Sequence, residues 1–409
     1  MRSLGVWMHG ALIGELGRER RELTFTYSEQ AVERIGLGVP LLSVSMPTRP
    51  RRYSGATPYA YFNGLLPEGD AREMIAYDFG IDSSDVLAML GTIGRDCAGA
   101  LVILPAGESP NELGRPERIG EEEVAQRLRR LGTYPLGVDG KVRVSLAGMQ
   151  RKLLLARLDS GWGLPVDGTP STHILKPPPY DARFPHMIEN EALCLRTALH
   201  LGLPVARVEV GEFDGIPVLI VERYDRSPPD DDGRVSRLHQ EDFCQASSID
   251  GARVRKYQDG GGPSLAQCAT ILSDWSRETD QLEQLLDLVT LNVLVGNSDA
   301  HGKNLSLLHS ALGELQLAPA YDMFSTIWYP EADTVPGMFV NGVRNIAAIT
   351  RDDLIAEGVG WGLSADSSAA RVHRLVGNAE DAVIRAAGEI ACPDELVDLL
   401  VSRARALAR

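Results

Sequence analysis

The stretch Gly296-Asn-Ser-Asp-Ala-His-Gly-Lys-Asn304 follows a long apolar pattern that decides how this part of the chain folds. Residues 281–295 place leucine and valine three and four positions apart, which predicts a helix with a buried face. Gly296 and Asn297 come directly after this pattern and predict the end of the helix. A buried helix is therefore expected to lead the chain into a polar loop.

Two short apolar runs follow the loop. Residues 305–308 and 314–317 predict strands that are joined through Gly313, and the chain then reaches Ala320-Tyr-Asp322. The predicted order is helix, polar loop, hairpin and a lone aspartate.

Asp299 and Asn304 have the Asp-x-x-x-x-Asn spacing of a kinase catalytic loop. In such a loop the aspartate accepts or orients the proton of the substrate hydroxyl, and the asparagine binds Mg²⁺. Asp322 lies where kinases carry the second Mg²⁺ ligand, since Mg²⁺ prefers hard oxygen donors. The alternative is that Asp299 and Asn304 only form a turn after the helix. The order of elements favours ATP- and Mg²⁺-dependent phosphotransfer.

His301 and Lys303 lie inside the same loop. Each of them either contacts ATP phosphates or serves as a structural hydrogen-bond donor or a solvated charge. The spacing does not decide between these two roles.

Upstream residues supply candidates for phosphate binding. Ser145-Leu-Ala-Gly-Met-Gln-Arg-Lys152 lies between two strand-like runs and has either the role of a phosphate-binding loop or that of an ordinary turn. Lys176 ends a further strand-like run, a position suited to the α- and β-phosphates, although an exposed strand-end lysine is the alternative. In the next predicted helix, Glu189 and Glu191 are candidates to pair with Lys176 or to form a solvated face.

A hinge is predicted at Glu222-Arg-Tyr224, where the strand-rich part of the chain ends. Chain order alone suggests that the backbone of Glu222, Arg223 and Tyr224 faces adenine.

The organisation of the chain predicts three segments. Residues 1–108 form a small N-terminal α+β subdomain, residues 109–225 a strand-rich nucleotide lobe, and residues 226–409 a mainly helical lobe. Within the second segment, strands are predicted at 142–145, 152–157, 172–176, 205–210 and 218–222, with a helix at 187–201. The fold class is therefore α+β, a two-lobed fold like that of protein kinases.

Composition limits the class of protein. A net charge of −15 disfavours direct binding to nucleic acid. The five cysteines are scattered, which predicts neither a disulfide framework nor a zinc site. No apolar run approaches the roughly 18 residues that a membrane-spanning helix needs. We expect a cytoplasmic protein with no membrane partner.

A family resemblance rests on several motifs in a fixed order. They are Ser145-Leu-Ala-Gly-Met-Gln-Arg-Lys152, His173-Ile-Leu-Lys176, Val221-Glu-Arg-Tyr-Asp-Arg226, Gln240-Glu-Asp-Phe-Cys-Gln245, Asp299-Ala-His-Gly-Lys-Asn304 and Pro319-Ala-Tyr-Asp322. Phe62-Asn-Gly-Leu-Leu-Pro67 and Gly94-Arg-Asp-Cys-Ala-Gly-Ala100 extend the resemblance to the N-terminal segment. In this order the motifs resemble those of HipA-type toxin kinases.

This resemblance implies a serine/threonine-protein kinase that is the toxin of a type II toxin–antitoxin pair. It implies a protein substrate such as an aminoacyl-tRNA synthetase, and a small helix-turn-helix antitoxin similar to HipB. DNA contact would then come only through the antitoxin, in a complex that could be 2:2.

The resemblance also implies a role for individual residues. Asp299 is the catalytic base, Asn304 and Asp322 bind Mg²⁺, and Ser145 is an autophosphorylation site. A phosphate on Ser145 would repel the phosphates of ATP, from which we expect it to eject the loop from the nucleotide pocket. The residues implied to contact ATP are Leu146, Ala147, Gly148, Met149, Gln150, Arg151, Lys152, Lys176, Glu222, Arg223, Tyr224, His301, Lys303 and Tyr321.

Three other functions remain open. A catalytically silent co-repressor would have the same fold, but retention of Lys176, Asp299, Asn304 and Asp322 argues against it. A metal-dependent hydrolase would leave the loop at Ser145 without a role, and the oxygen-rich ligands suit Mg²⁺ better than zinc. A kinase that acts on a small molecule or lipid is the third.

Overall fold

The computed structural model describes residues 3–111, 114–278, 280–310 and 314–409. The chain forms two compact units. The first consists of Met1–Pro177, Gly211–Ala252 and Leu308–Gly313, and the second of Pro178–Val210, Arg253–Leu307 and Glu314–Arg409. The division into three segments at residues 108 and 225 stays a prediction.

Strands and short helices alternate in the N-terminal part of the chain. In order, they are β1 (Ser3–Met8), β2 (Ala11–Glu19), β3 (Glu22–Tyr27), α1 (Glu29–Ile35), β4 (Tyr53–Ser54), α2 (Ala56–Gly64), α3 (Gly69–Asp78), α4 (Val86–Ile93), β5 (Leu101–Pro105), β6 (Glu117–Ile119), α5 (Glu121–Arg129), β7 (Leu153–Arg157), β8 (Trp162–Leu164) and β9 (His173–Lys176).

The rest of the chain is richer in helix. It contains α6 (Met187–His200), β10 (Val208–Phe213), β11 (Ile216–Glu222), β12 (His239–Asp242), α7 (Phe243–Ala246), α8 (Leu265–Trp275), α9 (Gln281–Val295), β13 (Ser306–His309), β14 (Leu315–Leu317), α10 (Arg351–Gly360), α11 (Ala365–Ala387) and α12 (Asp394–Ala408). Three short 3₁₀ turns lie at Arg253–Lys256, Gln258–Gly260 and Thr326–Trp328.

Antiparallel sheets form the framework of the first unit. One has the strand order β4-β3-β2-β1-β5, and in another β11, β9, β7, β8 and β6 lie side by side in that order. The register pairs Leu219 with Lys176 and Glu222 with His173, so the lysine and the predicted hinge lie at opposite ends of the β9–β11 ladder.

A continuous apolar core joins these sheets within the first unit. Phe25, Tyr61 and Phe62 are among its largest fully buried side chains. The ring of Phe62 lies 5.6 Å from that of Phe25 and 5.2 Å from that of Tyr61, and both pairs are tilted or edge-on, as aromatic rings prefer. This core fixes the sheet that carries Lys176.

Helix α9 is the buried helix of the second unit. Every residue from Leu285 to Val295 is buried, and α11 packs against α6, α9, α10 and α12. Gly296 ends α9 in the left-handed conformation, with φ at 68°, where a side chain is disfavoured. The prediction of a helix at residues 281–295 that stops at Gly296 is confirmed.

Two strand predictions were inaccurate. Residues 142–145 form isolated bridges rather than a strand, because Val144 pairs with Asp96 while Val142 pairs with Val166. The strand predicted at 205–210 lies later, at Val208–Phe213.

The hairpin strands lie at Ser306–His309 and Leu315–Leu317, one residue later than predicted at their first positions. The predicted connection at Gly313 lies outside the described residues.

Across the described part of the chain, no helix combines the length and apolar character needed to cross a membrane.

Candidate active site

The end of α9 positions the loop that carries Asp299. The Asn297 side chain donates to Asn292 Oδ1 at 2.8 Å, and its own Oδ1 accepts the backbone N–H of Asp299 at 3.1 Å. The backbone N–H of Ser298 donates to Thr326 Oγ1 at 2.8 Å. These bonds satisfy polar groups where the helix ends and fix the direction in which Asp299 leaves it.

The loop closes on itself between Asp299 and Asn304. The backbone carbonyl of Asp299 accepts from the N–H of His301 at 2.8 Å and from Asn304 Nδ2 at 3.0 Å. The N–H of Asn304 donates to the carbonyl of His301 at 2.9 Å. Because the amide nitrogen of Asn304 is used inside the loop, its amide oxygen is the atom that would serve a cation.

The carboxylate of Asp299 is partly open to solvent, with 35% of its side chain exposed. Tyr257 donates its phenolic hydrogen to Asp299 Oδ1 at 2.5 Å. The same oxygen lies 3.9 Å from Nε2 of His301, which is buried. His301 therefore lies inside the loop, where it has a structural contact beside its predicted contact with ATP, whereas Asp299 presents a carboxylate that an acceptor hydroxyl could reach.

Tyr321 ties the segment of Asp322 to the catalytic loop. Its hydroxyl donates to the backbone carbonyl of Lys303 at 2.7 Å and lies 2.6 Å from Ser306 Oγ. The structure thus gives Tyr321 a clear structural role beside its predicted contact with ATP.

Asp322 itself adopts a φ of 53°, which is uncommon for a residue other than glycine. Both sides of it are anchored. Ala320 forms a bridge with Val205, and the Asn190 side chain exchanges hydrogen bonds with Ser325, accepting at 2.8 Å and donating at 3.0 Å. Anchored flanks allow a strained residue to persist, and such residues concentrate at functional sites.

The donors of this site fit Mg²⁺. The described residues contain no group of three or more His, Cys, Asp or Glu side chains able to hold a metal ion. Asp322 and Asn304 would supply a carboxylate and an amide oxygen, which are hard donors of the kind that Mg²⁺ accepts beside water and phosphate oxygens. Zinc would require a fuller set with nitrogen or sulfur donors.

In the first unit, the loop from Ser145 to Lys152 folds around an ammonium group. Lys152 is buried and donates from Nζ to the carbonyl of Ala147 at 2.7 Å. Gly148 has a φ of 108°, and a Cβ there would lie 2.6 Å from Lys152 Nζ. Leu146, Ala147, Gln150 and Arg151 are half-buried, whereas Met149 is exposed. The Lys152 ammonium therefore holds the loop together, and contact of the loop with phosphate stays a prediction.

Ser145 begins this loop as a fully buried residue. Its hydroxyl donates to the carbonyl of Leu65 at 2.8 Å, and its backbone N–H donates to the carbonyl of Asp96 at 2.9 Å. Phosphorylation of this hydroxyl would therefore require the start of the loop to leave its place.

Lys176 and Glu191 are both buried, with 6% and 2% of their surface exposed. The alternative that each is a solvated charge is therefore wrong. Glu189 is half-buried and lies 3.9 Å from His186. Because buried charges are costly unless paired, burial argues against a solvated charge at Lys176 and at Glu191, and their functional roles stay predictions.

The predicted hinge divides into residues with different environments. Glu222 and Tyr224 are half-buried, and Tyr224 donates to Gln240 Oε1. Arg223 is buried, and its guanidinium binds Asp225 at 2.7 Å and Ser171 Oγ at 2.9 Å. The Arg223 side chain therefore belongs to the interior of the first unit, and its role toward adenine stays a prediction.

A buried ionic network surrounds Arg223 and was not predicted. Asp96 binds Arg226 at 2.9 Å and Arg237 at 3.2 Å. Burial alone would raise the pKa of Asp96, but Arg226, Arg237 and Arg223 hold it well below its usual range. Asp96 lies in one of the N-terminal family motifs, and that position was the only sequence signal for it.

Models of two protein domains match the chain. The HipA N-terminal domain matches residues 4–104, and the HipA-like C-terminal domain matches residues 144–385.

Two curated relatives align with most of this chain. A putative kinase, Y4mE, from Sinorhizobium fredii is 38% identical over 99% of this chain and 95% of the relative. The serine/threonine-protein kinase toxin HipA from Shewanella oneidensis is 30% identical over 78% of this chain and 76% of the relative.

A solved structure shares the fold. It is the complex of HipA, HipB and operator DNA from Shewanella oneidensis, with a TM-score of 0.85, 25% identity, and coverage of 99% of this chain and 96% of the other. The match confirms the predicted α+β, kinase-like fold class. The domain models and the relatives agree with the ordered motifs, and the chain belongs to the HipA family.

Proposed function

We propose that this chain is an ATP- and Mg²⁺-dependent serine/threonine-protein kinase and the toxin of a type II toxin–antitoxin pair. The observation that carries this proposal is the Asp299–Asn304 loop, which presents a half-exposed carboxylate at the end of a buried helix. Family membership and the names of relatives as kinases support the same activity.

The residues of the second unit divide the work of the reaction. Asp299 orients the acceptor hydroxyl and accepts its proton, which general acid–base catalysis requires. Asn304 and Asp322 would hold Mg²⁺, and the bound ion would neutralise charge on the phosphate oxygens. His301 and Lys303 lie in the same loop, where they would line the nucleotide pocket together with Tyr321.

The residues of the first unit bind the nucleotide in this proposal. The backbone of the loop from Ser145 to Lys152 would contact the phosphates, with Lys176 at the α- and β-phosphates. Glu222 and Tyr224 would flank adenine.

Ser145 would be an autophosphorylation site that switches the kinase off. Its hydroxyl is buried and bonded to Leu65, so a phosphate there cannot be accommodated in the present position of the loop. The phosphate would add a charge of about −1.5 to −2, which repels the phosphates of ATP. Phosphorylation should thus hold the loop outside the nucleotide pocket.

A relative's structure supports the proposed partners. The Shewanella oneidensis structure contains HipA, HipB and operator DNA. By analogy, this chain would bind a HipB-like helix-turn-helix antitoxin and reach DNA through it, in a complex that could be 2:2. Its substrate would be a cytoplasmic protein such as an aminoacyl-tRNA synthetase.

The test is transfer of a labelled γ-phosphate from ATP with Mg²⁺, followed by mass spectrometry of Ser145 and of proteins in a cell lysate. The wild-type protein should transfer labelled phosphate to Ser145 and to a lysate protein. Chelation of Mg²⁺, or the substitution Asp299→Asn, should abolish this transfer. Asp398→Asn is the matched control, because Asp398 is exposed on α12. A wild-type protein that binds the antitoxin but transfers no phosphate would instead identify a silent co-repressor.

A further inference from the structure

Tyr257 lies between two short 3₁₀ turns that precede α8, Arg253–Lys256 and Gln258–Gly260. We call residues 253–260 the strap. The strap lies 39 or more positions before Asp299 in the chain and contains no motif of a catalytic loop. Its phenol nevertheless donates to the carboxylate of Asp299 at 2.5 Å.

The strap is anchored on both sides of Tyr257, to the catalytic loop on one side and to residues 337–339 on the other. On one side, the carbonyl of Lys256 accepts the N–H of Gly302 at 3.1 Å. On the other, the N–H of Gln258 donates to the carbonyl of Gly337 at 2.8 Å, and Gln258 Oε1 accepts the N–H of Phe339 at 2.7 Å. Backbone bonds on both neighbours leave the Tyr257 backbone little freedom.

The ring of Tyr257 is fixed as well. It meets the ring of His301 edge-on, with centroids 5.0 Å apart and an angle of 84° between the planes. His301 is buried. Edge-to-face contact is one of the arrangements that aromatic rings prefer. The phenolic oxygen is therefore placed against Asp299 by a rigid support rather than by a swinging side chain.

The hydrogen bond from Tyr257 restrains the orientation of the Asp299 carboxylate. The terminal torsion of an aspartate has a broad, roughly two-fold preference, so an unsupported carboxylate turns easily. A donor at Oδ1 restrains the plane of the carboxylate and so the direction in which it faces an acceptor hydroxyl. Hydrogen bonds to charged groups are also the stronger ones in proteins.

We propose that Tyr257 is a positioning residue for phosphotransfer, which holds the Asp299 carboxylate in the orientation that receives the acceptor hydroxyl. This proposal rests on the proposed function. It assigns a role in catalysis to the strap, which acts through the Asp299 carboxylate. An autoinhibitory strap would need to leave the loop before reaction, and its backbone anchors oppose that movement.

The experiment compares Tyr257→Phe with wild type, since phenylalanine keeps the ring contact with His301 and removes only the hydroxyl. The kcat for phosphate transfer should fall about 10- to 100-fold, the range expected for the loss of one hydrogen bond to a charged group. The KM for ATP and the thermal midpoint should stay close to the wild-type values. A change confined to kcat separates positioning of Asp299 from a general loss of structure.

Tyr77→Phe is the matched control, because Tyr77 is 86% exposed in the first unit. Its kcat should equal that of wild type. Gln258→Ala is a second variant that keeps the phenol but removes one anchor of the strap, and its kcat should fall by less than that of Tyr257→Phe.

The outcomes separate this proposal from the proposed function. If wild type transfers phosphate, Asp299→Asn does not, and Tyr257→Phe matches or exceeds the wild-type kcat, then the positioning role is wrong and the kinase function stands. If wild type transfers no phosphate, or Asp299→Asn transfers as much as wild type, the proposed function itself fails.

Discussion

Gly337 packs closely against the catalytic loop. The N–H of Gly337 donates to the carbonyl of Ser298 at 2.7 Å, and its carbonyl accepts from Gln258, so this residue lies between the catalytic loop and the strap. A Cβ at Gly337 would lie 2.6 Å from the carbonyl oxygen of Ala300 and 2.8 Å from the backbone nitrogen of His301.

Gly337→Ala must therefore displace backbone rather than a flexible side chain. Ordinary contact begins at 3.4 Å, so the catalytic loop would have to move by about 0.8 Å, since packed interiors contain few voids that could absorb the methyl group. Overpacking of this kind costs about 1–3 kcal/mol of stability. Misplacing catalytic groups by about 1 Å can cost about 100-fold in rate.

The assay measures kcat for phosphate transfer and the free energy of unfolding for Gly337→Ala and Gly377→Ala. Gly377 is the matched control, since it lies within α11 and an added Cβ there meets nothing within 4 Å. We expect kcat to fall about 10- to 100-fold in Gly337→Ala. Gly377→Ala should keep kcat and gain up to about 1 kcal/mol from better helix propensity. A Gly337→Ala protein with wild-type kcat and stability would refute the close approach.

Three further predictions concern stability and regulation. Arg403→Leu should lower the free energy of unfolding, measured by urea denaturation, by about 2–4 kcal/mol, because the guanidinium donates to the carbonyls of Val293 and Leu294. Arg405→Ala is the exposed control and should lower it by less than about 1 kcal/mol. Ser145→Asp should weaken ATP binding in calorimetry while Ser145→Ala retains it, and equal, undiminished affinity in both would contradict the switch. Burial, and then His309, lower the pKa of His239 well below its ordinary value. As pH falls below about 6.5, His239 therefore gains a proton in the unfolded chain before it does in the folded chain. The free energy of unfolding should then decline by up to about 1.4 kcal/mol per pH unit for this group. Denaturation of His239→Gln between pH 7 and pH 5 should show a shallower decline, and an unchanged slope would contradict a neutral His239.

Local patterns were sufficient for the elements that lead into the site. The spacing of leucine and valine in α9 and the glycine that follows it are signals within one segment, so both ends of that helix could be predicted. Both ends of α6 could also be predicted, since the predicted range exceeds the observed Met187–His200 by only one residue. Spacing also predicted that Asp299 and Asn304 share one loop, in which the structure joins them through a hydrogen bond.

Contacts between distant segments could not be predicted from such patterns. Tyr257 and Gly337 support the catalytic loop from 42 positions before and 38 positions after Asp299, and neither lies in a periodic segment. The pairing of Asp96 with Arg226 joins residues 130 positions apart. The positions of charged residues and glycines in the sequence do not reveal which of them come into contact, because the tertiary fold determines those contacts.

The predicted strand at residues 142–145 shows a further limit. Its alternation of valine with polar residues is a strand pattern, yet single bridges to Asp96 and Val166 take the place of a continuous ladder. Short β-patterns depend on the neighbouring strands that the fold supplies.

Phosphate transfer by Asp299→Asn, measured together with its affinity for ATP, tests the central claim most directly. Removing the proton acceptor should lower kcat about 100- to 10,000-fold, as expected for loss of a general base, while ATP affinity stays near that of wild type. Asp398→Asn should transfer phosphate at the wild-type rate. Equal transfer by Asp299→Asn and wild type would contradict the assignment of the Asp299–Asn304 loop as the phosphotransfer centre.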